Sequence, residues 1–148
     1  MKKQTLLFPS LCLSVGLAIA PAYAQEGRVK ANVPFKFNVA GKTLPAGEYE
    51  MSTRQKEVVL RNSQGRIVAI VLGIAISRRT SDAPGHLIFH CYAGRAQCFL
   101  WQVMFPNQEA GRELSISRLE AEAAKKENAE YVELWYIVPA RRPPQIRD

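Results

Sequence analysis

Two cysteines, Cys91 and Cys98, are the residues of this chain whose type and spacing most directly suggest chemistry. They lie in two extended runs around residues 93–96, and a hairpin loop there would place the two side chains directly opposite each other. A pair of cysteines in an exported chain is typical of a structural disulfide. Redox-active pairs usually have closer spacing and a helix N-terminus that lowers one thiol pKa, and neither feature is present. We therefore expect a Cys91–Cys98 disulfide.

His90 precedes this pair, but the three residues do not form a metal site. Neighbouring residues of a strand point to opposite faces, so His90 and Cys91 cannot converge on one ion. His86 shares a face with His90 but lies about 13 Å away at the rise of a strand. We expect no metal and no cofactor. We interpret His90 as a packed or edge histidine in preference to a general base.

The face opposite the cysteines carries aromatic side chains that offer a different kind of site. Strand alternation puts two aromatic residues, Tyr92 and Trp101, on the same face as His90. Together with Tyr131, Trp135 and Tyr136 they could form a platform that binds sugars or apolar ligands, although core packing is the preferred explanation. The same alternation predicts which residues share each face. Leu87, Phe89 and Leu100 accompany the cysteines, and Ile88, Phe99, Val103 and His86 accompany the aromatic residues.

Catalytic motifs are missing from the sequence. It contains no nucleophile elbow, phosphate loop, HExxH motif or paired-carboxylate arrangement. We therefore expect a protein that is not an enzyme and assign no catalytic residue.

Alternating side chains at residues 29–39 predict the first strand that must position these groups. Apolar residues occupy every second position there. A turn at residues 44–47 leads to a second strand at residues 48–53. A third strand at residues 57–60 is followed by a turn in which Gly65 adopts a positive φ.

Ten almost continuous apolar residues, 67–76, predict a central strand covered on both faces, with a bulge or bend at Gly73. A polar loop at residues 78–85 separates it from the cysteine hairpin. Ser117 and Glu120 then form a capping box for a surface helix at residues 119–127, with Glu122 and Lys126 paired and Asn128 as its stop. Residues 131–138 predict a last strand.

Seven short strands and one late helix define the expected fold class. It is mainly β, a single small antiparallel sandwich or partly open barrel with one short C-terminal helix. Residues 1–24 predict a signal peptide, because Lys2 and Lys3 precede an apolar run and the cleavage triplet Ala22-Tyr23-Ala24. The β-rich domain then covers residues 25–138. Residues 139–148 form a basic, proline-rich tail that we expect to be mobile.

Charge and export together restrict the partners. Residues 25–148 contain 18 basic and 13 acidic side chains, a net charge of +5. After cleavage near Ala24, the chain would lie in the periplasm or outside the cell and contain no transmembrane segment. The sequence does not identify a partner. An anionic envelope surface or another exported protein is a candidate, although the charge is better explained by a merely soluble basic protein, and export argues against nucleic acid.

Four blocks of sequence carry a resemblance. Residues 31–37 (ANVPFKF), 42–49 (KTLPAGEY), 87–90 (LIFH) and 111–114 (GREL) resemble a family of small exported bacterial proteins with no assigned function. The family pattern has a shorter hairpin turn after the histidine and no cysteine pair. Cys91 and Cys98 are therefore a local addition to that pattern.

These observations favour a non-catalytic exported protein that acts as a binding or structural module of the cell envelope. The alternative is a barrel that binds a small apolar or glycan ligand through Tyr92, Trp101 and His90. An enzyme of unknown reaction ranks third.

Overall fold

The computed structural model describes residues 26–139, which contain ten strands and one helix. The predicted signal peptide and residues 140–148 of the predicted tail lie outside the described residues. The elements are β1 (Arg28–Val33), β2 (Phe37–Val39), β3 (Lys42–Leu44), β4 (Gly47–Arg54), β5 (Glu57–Asn62), β6 (Ile67–Ser77), β7 (His86–Tyr92), β8 (Gln97–Met104), β9 (Ala110–Leu114), α1 (Arg118–Lys126) and β10 (Val132–Ile137).

All ten strands belong to one sheet that is not closed into a complete barrel. Its main path runs β1-β4-β5-β6-β9-β8-β2-β3, and β7 joins β8 to β10. Every pairing is antiparallel except the short one between β2 and β8. The mainly β fold with a single short helix that the sequence predicts is therefore confirmed.

The sheet curves around one apolar core. Alternate side chains of β1 are buried, as their spacing predicts. Phe37 packs edge to face on Tyr49 and on Phe89, and so joins three strands. Buried side chains from all strands from β1 to β9 belong to the same cluster, and Leu134 and Tyr136 of β10 pack against it.

Residues 29–39 form two strands and not the single strand predicted. The chain leaves the sheet at Pro34, whose nitrogen has no hydrogen to donate. β1 pairs with β4, whereas β2 pairs with β3 and β8. The alternation of buried residues continues through this break, which is why the sequence alone does not reveal it.

The prediction that β6 is covered on both faces is wrong. Its outward residues Ile70, Leu72 and Ile74 are 43%, 59% and 68% exposed. A continuous apolar run does not by itself show whether a second layer covers the sheet. At Gly73 the strand changes its partner from β5 to β9. The β-bulge of β6 lies instead at Val68, which has no register partner between Leu60 and Arg61 of β5.

Strand β9 was not predicted. Its five residues include a glycine, an arginine and a glutamate, so neither alternation nor β-propensity marks it. Gly111 is required there because a Cβ atom would lie 2.8 Å from the carbonyl oxygen of Val103.

Arg78 connects the loops at one end of the sheet. Its guanidinium group donates hydrogen bonds to four backbone carbonyl oxygens at distances of 2.7 to 2.9 Å. Two acceptors, Ala83 and Pro84, lie in the loop before β7, and two, Phe105 and Gln108, lie between β8 and β9. One planar side chain thus holds two irregular segments together, which a lysine cannot do because its ammonium group lacks this fork.

We predict that Arg78→Ala lowers the free energy of unfolding by about 3 kcal/mol, because charge-assisted hydrogen bonds to partly buried carbonyl groups are lost. Urea denaturation measures this loss. Arg79→Ala is the matched control, since Arg79 is exposed, and it should change stability by less than about 0.5 kcal/mol. Equal losses in the two variants would contradict the role given to Arg78.

Candidate functional site

The hairpin of β7 and β8 joins Cys91 to Cys98 as expected. The two residues are direct partners in the strand register, and their sulfur atoms lie 2.08 Å apart as a disulfide. The bond lies in the core, and His90 lies on the opposite face, so the structure confirms the predicted pair and its orientation.

One extra residue in β8 sets the faces of this hairpin. Ile88 pairs with Gln102 and Phe89 pairs with Leu100, so Trp101 has no partner in the register. This β-bulge reverses the alternation beyond Trp101. Val103 consequently lies in the core and not on the aromatic face, where strict alternation placed it.

The three predicted ligand-binding residues lie together in one cluster. His90 is held between the ring of Trp101 and the ring of Tyr131, with a centroid distance of 4.1 Å on each side. The Tyr92 ring lies 5.8 Å from the Tyr131 ring. We call these four residues the aromatic cluster. His90 and Tyr92 are buried and Trp101 is half-buried, so of the four rings only Tyr131 is largely exposed, and the cluster does not present an open platform.

Helix α1 adds a carboxylate to the aromatic cluster. Ser117 caps the helix, since its hydroxyl oxygen accepts a hydrogen bond from the backbone N–H of Glu120 at 3.2 Å. The Glu120 side chain points inward, and its Oε1 lies 3.4 Å from Nδ1 of His90. Both side chains are more than nine-tenths buried, at 8% and 5% exposed. The helix therefore fixes an acid against the histidine.

Glu120 is the site residue that sequence reasoning missed. The capping box explained it as a surface group that bonds back to the cap. The available signal for an inward position was that Glu120 lies three residues before Ala123, which is buried, because residues three apart share a helix face. On the exposed face, Glu122 pairs with Arg118 at 3.0 Å, and not with Lys126 as predicted.

The cluster holds polar atoms in an apolar setting. Burial, and then the charge of Glu120, raise the pKa of the Tyr92 hydroxyl, so Tyr92 stays neutral well above physiological pH. Nε2 of His90 and Oε1 of Glu120 lack hydrogen-bond partners among residues 26–139. The arrangement is suited to fixing helix α1 on the sheet, since the buried pair lies between the two elements.

Strand β10 forms an open edge beside the aromatic cluster. It pairs with β7 on one side, and no strand of the described chain lies on its other side. Three of its apolar side chains are exposed, Val132, Trp135 and Ile137, with Tyr131 just before them. Its only charged residue, Glu133, accepts a hydrogen bond from Nε1 of Trp135 at 3.2 Å.

The other two free edges are protected in the way typical of soluble sheets. β1 carries Arg28 and Lys30, which share one carboxylate, Glu50, and β3 is only three residues long. Charges and shortness both discourage pairing with another chain. β10 is six residues long, and its single charged residue, Glu133, is engaged with Trp135 of the same strand.

A cleft lies at each end of β10. The cleft at its start has a volume of about 480 Å³ and is bordered by Glu127, Glu130 and Tyr131. The cleft at its end has a volume of about 420 Å³ and is bordered by Arg28, Lys30 and Val138. The first is therefore acidic and the second basic.

Comparisons with known proteins give no relative: no protein-family model, curated protein or solved structure matches the chain. Within residues 26–139, no group of three or more metal-ligating side chains is assembled. The nine-residue helix α1 is too short to cross a membrane, and no longer helix occurs in the part of the chain that the structure describes.

We predict that Glu120→Ala lowers the free energy of unfolding by about 2 kcal/mol, because His90 then stays buried without its acidic partner. Trp101 fluorescence should change as well, since the indole stacks on His90. The matched control is Glu122→Ala in the same helix, where loss of an exposed ion pair costs less than about 0.5 kcal/mol. Chemical denaturation that found equal losses would contradict a special role for Glu120.

A second prediction concerns His86, which stacks on Trp135 with a centroid distance of 5.0 Å. Burial, and then the positive charge of Arg78, lower the pKa of His86 in the folded protein. The unfolded chain therefore binds this proton more readily, so stability is full above the unfolded pKa of about 6.5 and falls as the pH drops below it. His86→Gln should lose less stability than the unmodified protein between pH 7.5 and pH 5.5, measured by urea denaturation. Identical losses would contradict the assignment.

Proposed function

We propose that this protein is a non-catalytic, exported binding module of the cell envelope that holds another polypeptide along the open edge of β10. The observation that carries the proposal is the combination of an unpaired strand edge with exposed Val132, Trp135 and Ile137. Addition of a partner strand to such an edge gains backbone hydrogen bonds and buries apolar side chains. The bound partner would also remove an aggregation hazard.

The backbone of β10 supports this mode of binding. Val138 donates its N–H to the carbonyl oxygen of Gly85 at the end of β7. In an antiparallel pair, successive residues point their backbone groups alternately to the two sides. The groups of Glu133, Trp135 and Ile137 therefore point away from β7 and are available to a partner strand.

Three features support export. The Cys91–Cys98 disulfide is compatible with an oxidising compartment. The sequence of residues 1–24 has the pattern of a signal peptide. The four sequence blocks resemble those of a family of exported bacterial proteins. The net charge of +5 over residues 25–148 would in addition favour anionic envelope surfaces.

The second candidate function, binding of a small apolar or glycan ligand by Tyr92, Trp101 and His90, has weaker support. Tyr131 covers one face of His90, and helix α1 brings Glu120 against it. A ligand would have to displace these groups before reaching the aromatic cluster. The open edge requires no such rearrangement.

We predict that a photo-crosslinking residue at Ile137 captures a polypeptide in the intact cell, because Ile137 lies on the open edge. The matched control is the same substitution at Leu72, which is also an exposed apolar residue but has a backbone neighbour on each side, Glu57 and Ser115. Adducts resolved by mass spectrometry should form at position 137 and not at position 72. Absence of adducts at Ile137, or the same adducts at both positions, would overturn the proposed function.

A further inference from the structure

We propose that the polypeptide held by β10 is the β10 strand of a second copy of this chain, paired antiparallel about a two-fold axis at Leu134. This inference rests on the proposed function and names its partner. The evidence comes from the hydrogen-bonding pattern of β10, from its side chains and from the charges at its two ends.

The backbone groups select the register. Tyr131, Glu133, Trp135 and Ile137 continue one alternation, so all four direct their N–H and C=O groups to the open edge. When Leu134 faces Leu134 of the second copy, Tyr131 lies opposite Ile137 and Glu133 lies opposite Trp135, so all four residues are paired. A register centred on Trp135 places Tyr131 opposite Pro139, which has no N–H to donate.

The side chains are compatible with this register. On the outward face, Glu133 of one copy lies beside Trp135 of the other and does not face a second Glu133. Like charges directly opposite each other across the pair would be destabilising, and this register avoids them. The exposed Val132 would lie opposite Tyr136 of the second copy, and the exposed Tyr131 opposite Ile137. Each of these pairs removes apolar surface from water.

The charges at the two ends of β10 are complementary under the same operation. Antiparallel pairing brings the start of one strand, with Glu130, beside Val138 at the end of the other. Arg28 and Lys30 border the cleft at that end and share the single carboxylate of Glu50, so a positive charge remains uncompensated. The cleft volume of about 420 Å³ offers room for the turn that carries Glu130. A two-fold axis produces this contact twice, as an isologous interface requires.

Cysteine crosslinking tests the register. Leu134→Cys should form a disulfide-linked dimer under mild oxidation, since opposite residues of a non-hydrogen-bonded pair lie close together. Asn32→Cys is the matched control, because Asn32 is exposed on the protected edge of β1 and lies outside the basic cleft. It should stay monomeric on a non-reducing gel. Because Leu134 also packs against the core, a second test mixes Glu133→Cys protein with Trp135→Cys protein. Both residues are exposed, and the mixed dimer should exceed either self-dimer.

Light scattering after size-exclusion chromatography tests the charges. The unmodified protein should dimerise, and Glu130→Lys should raise the dimer dissociation constant about fivefold, as expected for loss of the two symmetry-related exposed ion pairs. Adding Lys30→Glu to Glu130→Lys should restore part of the affinity.

Three outcomes would overturn the inference: a protein that is monomeric at every concentration, a dimer that crosslinks through Asn32→Cys, or a dimer that crosslinks through neither Leu134→Cys nor the mixed pair. The proposed function fails separately. A monomer whose Ile137 position captures a different polypeptide retains the proposed function and loses the second copy as partner, whereas no adduct at Ile137 overturns both.

Discussion

A single extra residue in β8 determines which side chains of the central hairpin point into the core and which point to the outer face of the sheet. Before the bulge at Trp101, Cys98 and Leu100 point into the core, and beyond it Val103 and Phe105 do so. Without the bulge, regular alternation would turn the second pair out of the core. The core therefore requires the bulge, and the bulge leaves Trp101 free to stack on His90. The packing of the interior thus creates the arrangement on the outside.

Arg78 and Glu120 have similar structural roles in different parts of the molecule. Both are charged side chains that bring irregular or lightly packed segments against the sheet. Arg78 does so by donating hydrogen bonds to four backbone carbonyl oxygens that would otherwise need water as their partner. Glu120 does so by lying against His90 beneath α1. Polar contacts of this kind have fixed geometry, whereas apolar packing tolerates sliding. The loops and the helix consequently hold one defined position although they bury little apolar surface.

Local patterns predicted the longer strands, the capped helix and the disulfide, because each depends on neighbours in sequence. They did not separate β2 from β1, and they did not predict the short strands β3 and β9. The hairpin register followed from the position of its loop, and Ser117 marked the helix start. Longer-range facts were not predictable. The break at Pro34 preserves the alternation of buried residues. The exposure of Leu72 depends on whether a second layer covers the sheet. The inward orientation of the Glu120 side chain depends on His90, thirty residues earlier in the chain. The open edge of β10 follows only from the strand order.

The position of the disulfide has a consequence for how the chain oxidises. Cys91 and Cys98 are seven residues apart, and no other cysteine occurs after residue 24. If residues 1–24, which contain Cys12, are removed as proposed, only one intramolecular pairing is available. Oxidation can therefore proceed without a disulfide isomerase to correct mistakes, at any stage at which the hairpin has formed. The bond closes a short loop, so it fixes two adjacent strands and leaves the rest of the chain free to find its order.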